Sequence, residues 1–152
     1  MVYLNFLSFL DRSGVLYNVV VNGYSIRRLE DVLKLGLCPE RVVKSLLIRD
    51  RRGVLVASIP MSRKLNVTLV SELLGSGIGF VSRNEVSNYG YEAGAVPPVY
   101  HRNVRMYLLD RLLFSYPSVF SGSGDPQKLI EIAPTYIVKS SDKPIIIDNI
   151  SD

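Results

Sequence analysis

The chain has one cysteine, one histidine and no long hydrophobic run, and each scarcity removes a class of function. A lone Cys38 cannot close an intramolecular disulfide and fits a reducing compartment. With His101 the only histidine, a Cys/His zinc site has too few ligands, and no metal is expected. There is no G-x-S-x-G elbow, no P-loop, no G-x-G-x-x-G after a strand and no H-E-x-x-H, so the common nucleophile, nucleotide and metal signatures are missing and no cofactor is implied. In MVYLNFLSFL nine of ten residues are apolar or small, but the run stops at Asp11 and Arg12 and is about half of the ~20 residues a membrane span needs. No positive region leads it, so a first helix ended by Gly14 is expected rather than a targeting segment, and the protein is read as cytoplasmic.

What is present suffices for one well-filled core in a single domain over residues 1–152, with 47% hydrophobic residues. A formal net charge of +4 leans toward an anionic partner such as nucleic acid. VLYNVVV predicts a strand from Val15 to Val21. Ser25 stands where it could cap a helix that carries Ile26, Leu29, Val32 and Leu33 on one face and ends at Gly36. Pro39 can open a short turn; KSLLIRD and VLVASIP then read as a hairpin closed at Gly53.

Asn66 is placed to cap a helix with Val67, Val70, Leu73 and Leu74 on its buried side and Gly75 at its end. A short strand follows around Phe80. Ser82 and Glu85 have capping-box spacing, and Gly90 stops the brief helix after them. VRMYLLD, SVF and KLIEI read as strands, DRLLFS as a turn of helix, and KPIIID as either a last strand or a packed arm. Mixing without a βαβ rhythm predicts an α+β fold: a mixed, mostly antiparallel sheet or partial barrel surrounded by helices.

Few residues remain for chemistry. Cys38 and His101 are too far apart in sequence to suggest a dyad, and His101, between Tyr100 and Arg102, reads as a surface or rim residue. Lys44 begins an apolar strand, where a cation either snorkels to the surface or points into a pocket. Two glycine loops, GYEAGAVPP and SGSGDP, each lead toward a strand and could present backbone N–H groups to a ligand or be plain turns.

The run ERVVKSLLIRDRRGVLVASIP, then RKLNVTLVSELLG, SRNEVSNYGYEAGAVPPV, LLDRLLF and SGSGDPQKLIEIAP, in that order, resembles the YbaK/ProX family of aminoacyl-tRNA deacylases, which is related to the editing domain inserted in bacterial-type prolyl-tRNA synthetases. The most specific parts are Lys-Ser-Leu at Lys44 and the Gly-x-x-x-Gly-x-x-x-Pro pattern at Gly90, Gly94 and Pro98. The resemblance implies hydrolysis of the ester of a mischarged tRNA, such as one bearing alanine, serine or cysteine. By it Lys44 is the essential lysine, Gly94 and Ala95 belong to the loop beside the pocket, and Gly122, Ser123 and Gly124 match the second loop. Mischarged tRNA, and an aminoacyl-tRNA synthetase besides, would be the partners. A non-catalytic module that keeps the fold and only binds tRNA or a synthetase is the alternative. Relatives carry a His-Pro-like stretch where this chain has Asn22, Gly23, Tyr24 and Ser25, which leaves the amino-acid specificity open.

Overall fold

A computed structural model describes residues 2–140 and 142–152. Helix α1 (Phe6–Ser13) ends at Gly14, whose φ of +70° closes the last turn, as the glycine predicted. Strand β1 (Asn18–Val21) starts three residues later than expected. Helix α2 (Leu29–Lys34) also starts late: Ser25 does not cap it, because the Asp31 carboxylate takes the N–H groups of Arg27 and Arg28 at 2.9 and 3.0 Å and sets the first turn there. Its expected apolar face is only partly used, with Val32 buried and Leu29 and Leu33 exposed.

After a 3₁₀ turn over Pro39–Arg41 come β2 (Val43–Asp50) and β3 (Gly53–Pro60), an antiparallel hairpin in the predicted register. Asp50 closes it by accepting the N–H groups of Arg52 and Gly53 while pairing with Arg105. Helix α3 (Val67–Leu74) is capped by Asn66 Oδ1 on the N–H of Leu69 at 3.0 Å and ends at Gly75. Of its expected apolar side only Val70 is fully buried, while Val67 and Leu73 are exposed. Then follow β4 (Gly79–Phe80), a 3₁₀ segment over Arg83–Tyr89, β5 (Val104–Asp110), a 3₁₀ turn over Arg111–Ser115, β6 (Val119–Gly122), β7 (Lys128–Ile132), α4 (Pro134–Val138) and β8 (Ile145–Ile147). The Ser82 hydroxyl donates to the Glu85 carboxylate at 2.9 Å instead of accepting a backbone N–H, so the expected capping box does not form.

The strands make two sheets. One is antiparallel with order β1-β7-β6; the other runs β4-β2-β3-β5-β8, with β5 parallel to β3 and β8 parallel to β5. KPIIID therefore contributes an edge strand. The fold is mixed α+β as expected, and the sheets approach each other along β2 and β6, where Val42 bridges Phe120, without closing a barrel among the described residues.

Strand β3 explains the layering. Its alternate residues Val54 and Val56 enter one core with α1, while Leu55, Ala57 and Ile59 enter a second under α3, so the strand is apolar on both faces. A third cluster, Ile26, Val32, Val42, Phe120 and Leu129, fills the junction of the sheets and floors the cleft described next. Among the described residues no helix is long and apolar enough to cross a membrane.

Candidate active site

A cleft of about 240 Å³ opens where the start of β2 meets the end of β6. Lys44 and Ser45 from β2, Met61 after β3, Ile26 and Arg27 before α2, Arg83 after β4, Gly94 and Val96 of the Gly/Pro loop, and Gly122 of β6 all line it. With Leu129 of β7, seven separate stretches of chain thus converge on one small volume. Its lining holds three cations, Lys44, Arg27 and Arg83, and, among the described residues, no acidic side chain. Such a surface favours an anion at the mouth and a small apolar group below.

Lys44 is half-buried, and its Nζ donates to the carbonyl oxygen of Arg63 at 2.8 Å. Burial holds the ammonium below its ordinary pKa, and the nearby positive charge of Lys64 adds to the shift. The turn that supplies the Arg63 carbonyl is tied back to β2, because the Met61 N–H donates to Val42 O at 2.7 Å. The same tie holds Met61 at the cleft.

The Gly/Pro loop is both a turn and a wall. Gly94 has a φ of +89°, and a Cβ there would meet nothing nearer than Arg27 Cγ at 3.8 Å. Gly122 is a glycine for another reason: a Cβ would lie 2.4 Å from Val96 O, so β6 and the loop touch backbone to backbone. The remaining loop residues stand behind the lining. Ala95 is buried and accepts the Gly124 N–H at 2.9 Å. Gly124 has a φ of +92° and packs on the Tyr91 ring. Ser123 is buried and spends its hydroxyl on Lys128 O at 2.7 Å, holding the β6–β7 turn. Lys44, Gly94 and Gly122 therefore come together at the cleft, while Ala95, Ser123 and Gly124 support its wall.

His101 is not a rim residue. Its ring packs between Tyr91 and Tyr107, its Nε2 hydrogen bonds to the carbonyl oxygen of Pro97 at 2.8 Å, and its Nδ1 is enclosed without a partner among the described residues. A carbonyl only accepts, so Nε2 carries the proton. Burial lowers the imidazole pKa to about 4, which keeps it neutral near pH 7. The histidine thus pins the proline end of the cleft wall from behind.

Sequence reasoning singled out none of Arg27, Arg83 and Met61. Nothing in the local sequence marks any of the three as facing a site, and only tertiary packing brings them to Lys44.

Residues 24–139 match the family model of the aminoacyl-tRNA editing domain. No curated protein matches the chain significantly. Among solved structures, the hypothetical protein APE2540 is 27% identical over 98% of this chain and 100% of its own, with a TM-score of 0.87. A structure described as "a putative trans-editing enzyme for prolyl tRNA synthetase" is 22% identical over 93% of this chain and 91% of its own, with a TM-score of 0.79. A scaffold solved in work on epitope backbone grafting is also 22% identical, over 93% of this chain and 92% of its own, with a TM-score of 0.80. At 22% identity the last two speak to the fold alone.

Proposed function

The chain belongs to the aminoacyl-tRNA editing domain family, and from that premise we propose that it is a free-standing deacylase that hydrolyses the ester joining a wrong amino acid to the terminal ribose of a tRNA. The observation that carries this reading is the union of Lys44, Arg27 and Arg83 with the glycine-bearing wall of Gly94, Val96 and Gly122 in one cleft that, among the described residues, holds no acidic side chain.

An aminoacyl ester is already activated, so its hydrolysis needs a placed water, stabilisation of the developing oxyanion and proton transfer, but no protein nucleophile. Gly94 and Val96 both line the cleft, and no described residue accepts their backbone N–H groups. These two donors suit the carbonyl oxygen of the ester. Lys44, fixed by Arg63 O, holds the ester or ribose end, and a hydroxyl of that ribose orients the water. The aminoacyl side chain rests on Ile26, Met61 and Leu129. A volume of about 240 Å³ is smaller than the roughly 300–1,000 Å³ of drug-sized pockets, so the cleft takes an aminoacyl group and leaves the adenosine at the mouth, with alanine, serine and cysteine the amino acids that the family resemblance suggests. Phosphates of the tRNA end then meet Arg27 and Arg83. The enzyme would act in the cytoplasm, alone or beside a synthetase.

The test is a deacylation assay against tRNAs charged with a panel of amino acids. Hydrolysis of one or more small aminoacyl esters well above the spontaneous rate is expected. Tight tRNA binding with no turnover on any ester would return the chain to a non-catalytic binding module.

A further inference from the structure

Lys44 does not hold its position alone. The carbonyl that receives its Nζ belongs to Arg63, and the guanidinium of Arg63 is itself clamped: Nε donates to Ser151 Oγ at 2.9 Å and Nη2 to the Ser151 carbonyl at 2.9 Å. The Ser151 hydroxyl then donates to Oδ2 of Asp110, whose other carboxylate oxygen takes the Leu112 N–H at 3.0 Å. Asp110 is wholly buried at the end of β5, and Ser151 is 4% exposed, so the chain of bonds ends in the core rather than in solvent.

The backbone strengthens the same link. Lys64 and Asp152 exchange N–H···O bonds of 3.0 and 2.7 Å, and the Asn66 N–H donates to Ile150 O at 2.7 Å. Ile150 is fully buried in the core under α3. Residues 150–152 therefore lie along residues 64–66 like a short strap, held at one end by apolar burial and at the middle by Ser151. These residues lie beyond residue 139, where the family match ends.

We propose that Ser151 is a positioning residue for Lys44, acting through the Arg63 fork to hold the carbonyl that orients the ammonium in the cleft. A forked guanidinium contact fixes direction as well as distance. Without it the turn over residues 61–64 can drift, and a shift of about 1 Å at a catalytic group can cost roughly a hundredfold in rate. The consequence for rate rests on the deacylase reading; the coupling of Ser151 to Lys44 does not.

The experiment compares Ser151→Ala and Arg63→Met with the wild-type chain, measuring steady-state deacylation and the titration of Lys44 by NMR of its ¹⁵N-labelled Nζ. Both variants are expected to lose about tenfold or more in kcat with KM little changed, and in both the Lys44 titration should move up toward the ordinary lysine value of 10.5. If Ser151→Ala fails to fold because Asp110 loses its hydroxyl partner, Arg63→Met, which leaves the Ser151–Asp110 bond in place, decides the matter. A lower melting temperature with kcat per folded molecule and the Lys44 titration both unmoved overturns the proposal. Retained activity in Lys44→Ala would instead overturn the deacylase role of the lysine, and the titration of the two variants would still decide the coupling.

Discussion

The end of β6 and the Gly/Pro loop meet so closely at Gly122 and Val96 that a Cβ on Gly122 would lie 2.4 Å from the Val96 carbonyl oxygen, with Ala95 O and Val96 C both 2.9 Å away. All three obstructing atoms are backbone, so no side-chain rotation relieves the clash. The cleft wall is thus built by two loops pressed together, and its shape depends on one absent methyl group.

Gly122→Ala should accordingly push the loops apart, lowering stability by about 1–3 kcal/mol and activity with it. Gly94 behaves differently, because its φ of +89° is strained for any L side chain while the space around it is open. Gly94→Ala should cost about 1–2 kcal/mol, and Gly94→Asn less, since asparagine adopts positive φ more readily. Thermal melts of Gly122→Ala, Gly122→Asn, Gly94→Ala and Gly94→Asn test the distinction; equal rescue of both positions by asparagine would contradict it.

Lys44 should separate activity from stability. Its pKa is lowered in the fold, chiefly by burial, so the unfolded chain holds the proton more firmly and stability rises with pH as the proton leaves, up to the ordinary value of 10.5. At neutral pH the buried charge therefore works against folding. Lys44→Met is expected to lose more than tenfold in deacylation, about 1.4 kcal/mol or more of transition-state stabilisation, while melting no lower than wild type near pH 7. A variant that remains active, or one that melts well below wild type, would count against this assignment.

How much of this was legible beforehand varies with the range of the interaction. The β2–β3 hairpin could be read because Arg51, Arg52 and Gly53 form a local turn, and α3 because Asn66 caps it from three residues away. The start of α2 was misread because two local caps compete there, and Asp31, later in the chain, takes the N–H groups that Ser25 was expected to serve. Lys44 and the two glycine loops were found through the order of motifs. Arg83 and Met61 were not, because each reaches the cleft from its own distant segment and nothing in SRNE or IPMSR marks them as inward-facing. His101 looked like a rim residue for the same reason: its burial is supplied by Tyr91 and Tyr107, which local sequence does not reveal as neighbours.

His101 should make the fold acid-sensitive. With a folded pKa of about 4 against an ordinary 6.5, the unfolded chain binds the extra proton first, so stability is intact above about pH 6.5 and falls as the pH drops toward 4. One such group can account for up to roughly 3 kcal/mol over that window. His101→Phe keeps a ring between Tyr91 and Tyr107 but gives up the bond to Pro97 O, so it should be less stable than wild type at pH 7 and show a flatter dependence between pH 6.5 and 4. Denaturant melts across that range provide the check; an unchanged slope would mean that other groups govern the acid response.

The arginines should divide by whether their charge is already spent. Arg49 is paired with Glu85 at 3.0 Å and hydrogen bonds to Tyr89, and Arg63 is clamped by Ser151, so neither is free to neutralise a phosphate without breaking a bond. Arg27 and Arg83 line the cleft, and among the described residues neither has an ion-pair partner. Each phosphate neutralised on a single strand contributes about −0.7 to the slope of log K against log salt. Arg27→Ala and Arg83→Ala should therefore each weaken tRNA binding and flatten the slope by about that amount, whereas Arg49→Ala should leave the slope nearly unchanged. Binding titrations over a range of salt concentrations read all three slopes. A wild-type affinity independent of salt, or a slope that responds to Arg49 and not to Arg27 or Arg83, would place the tRNA end on a different face of the protein.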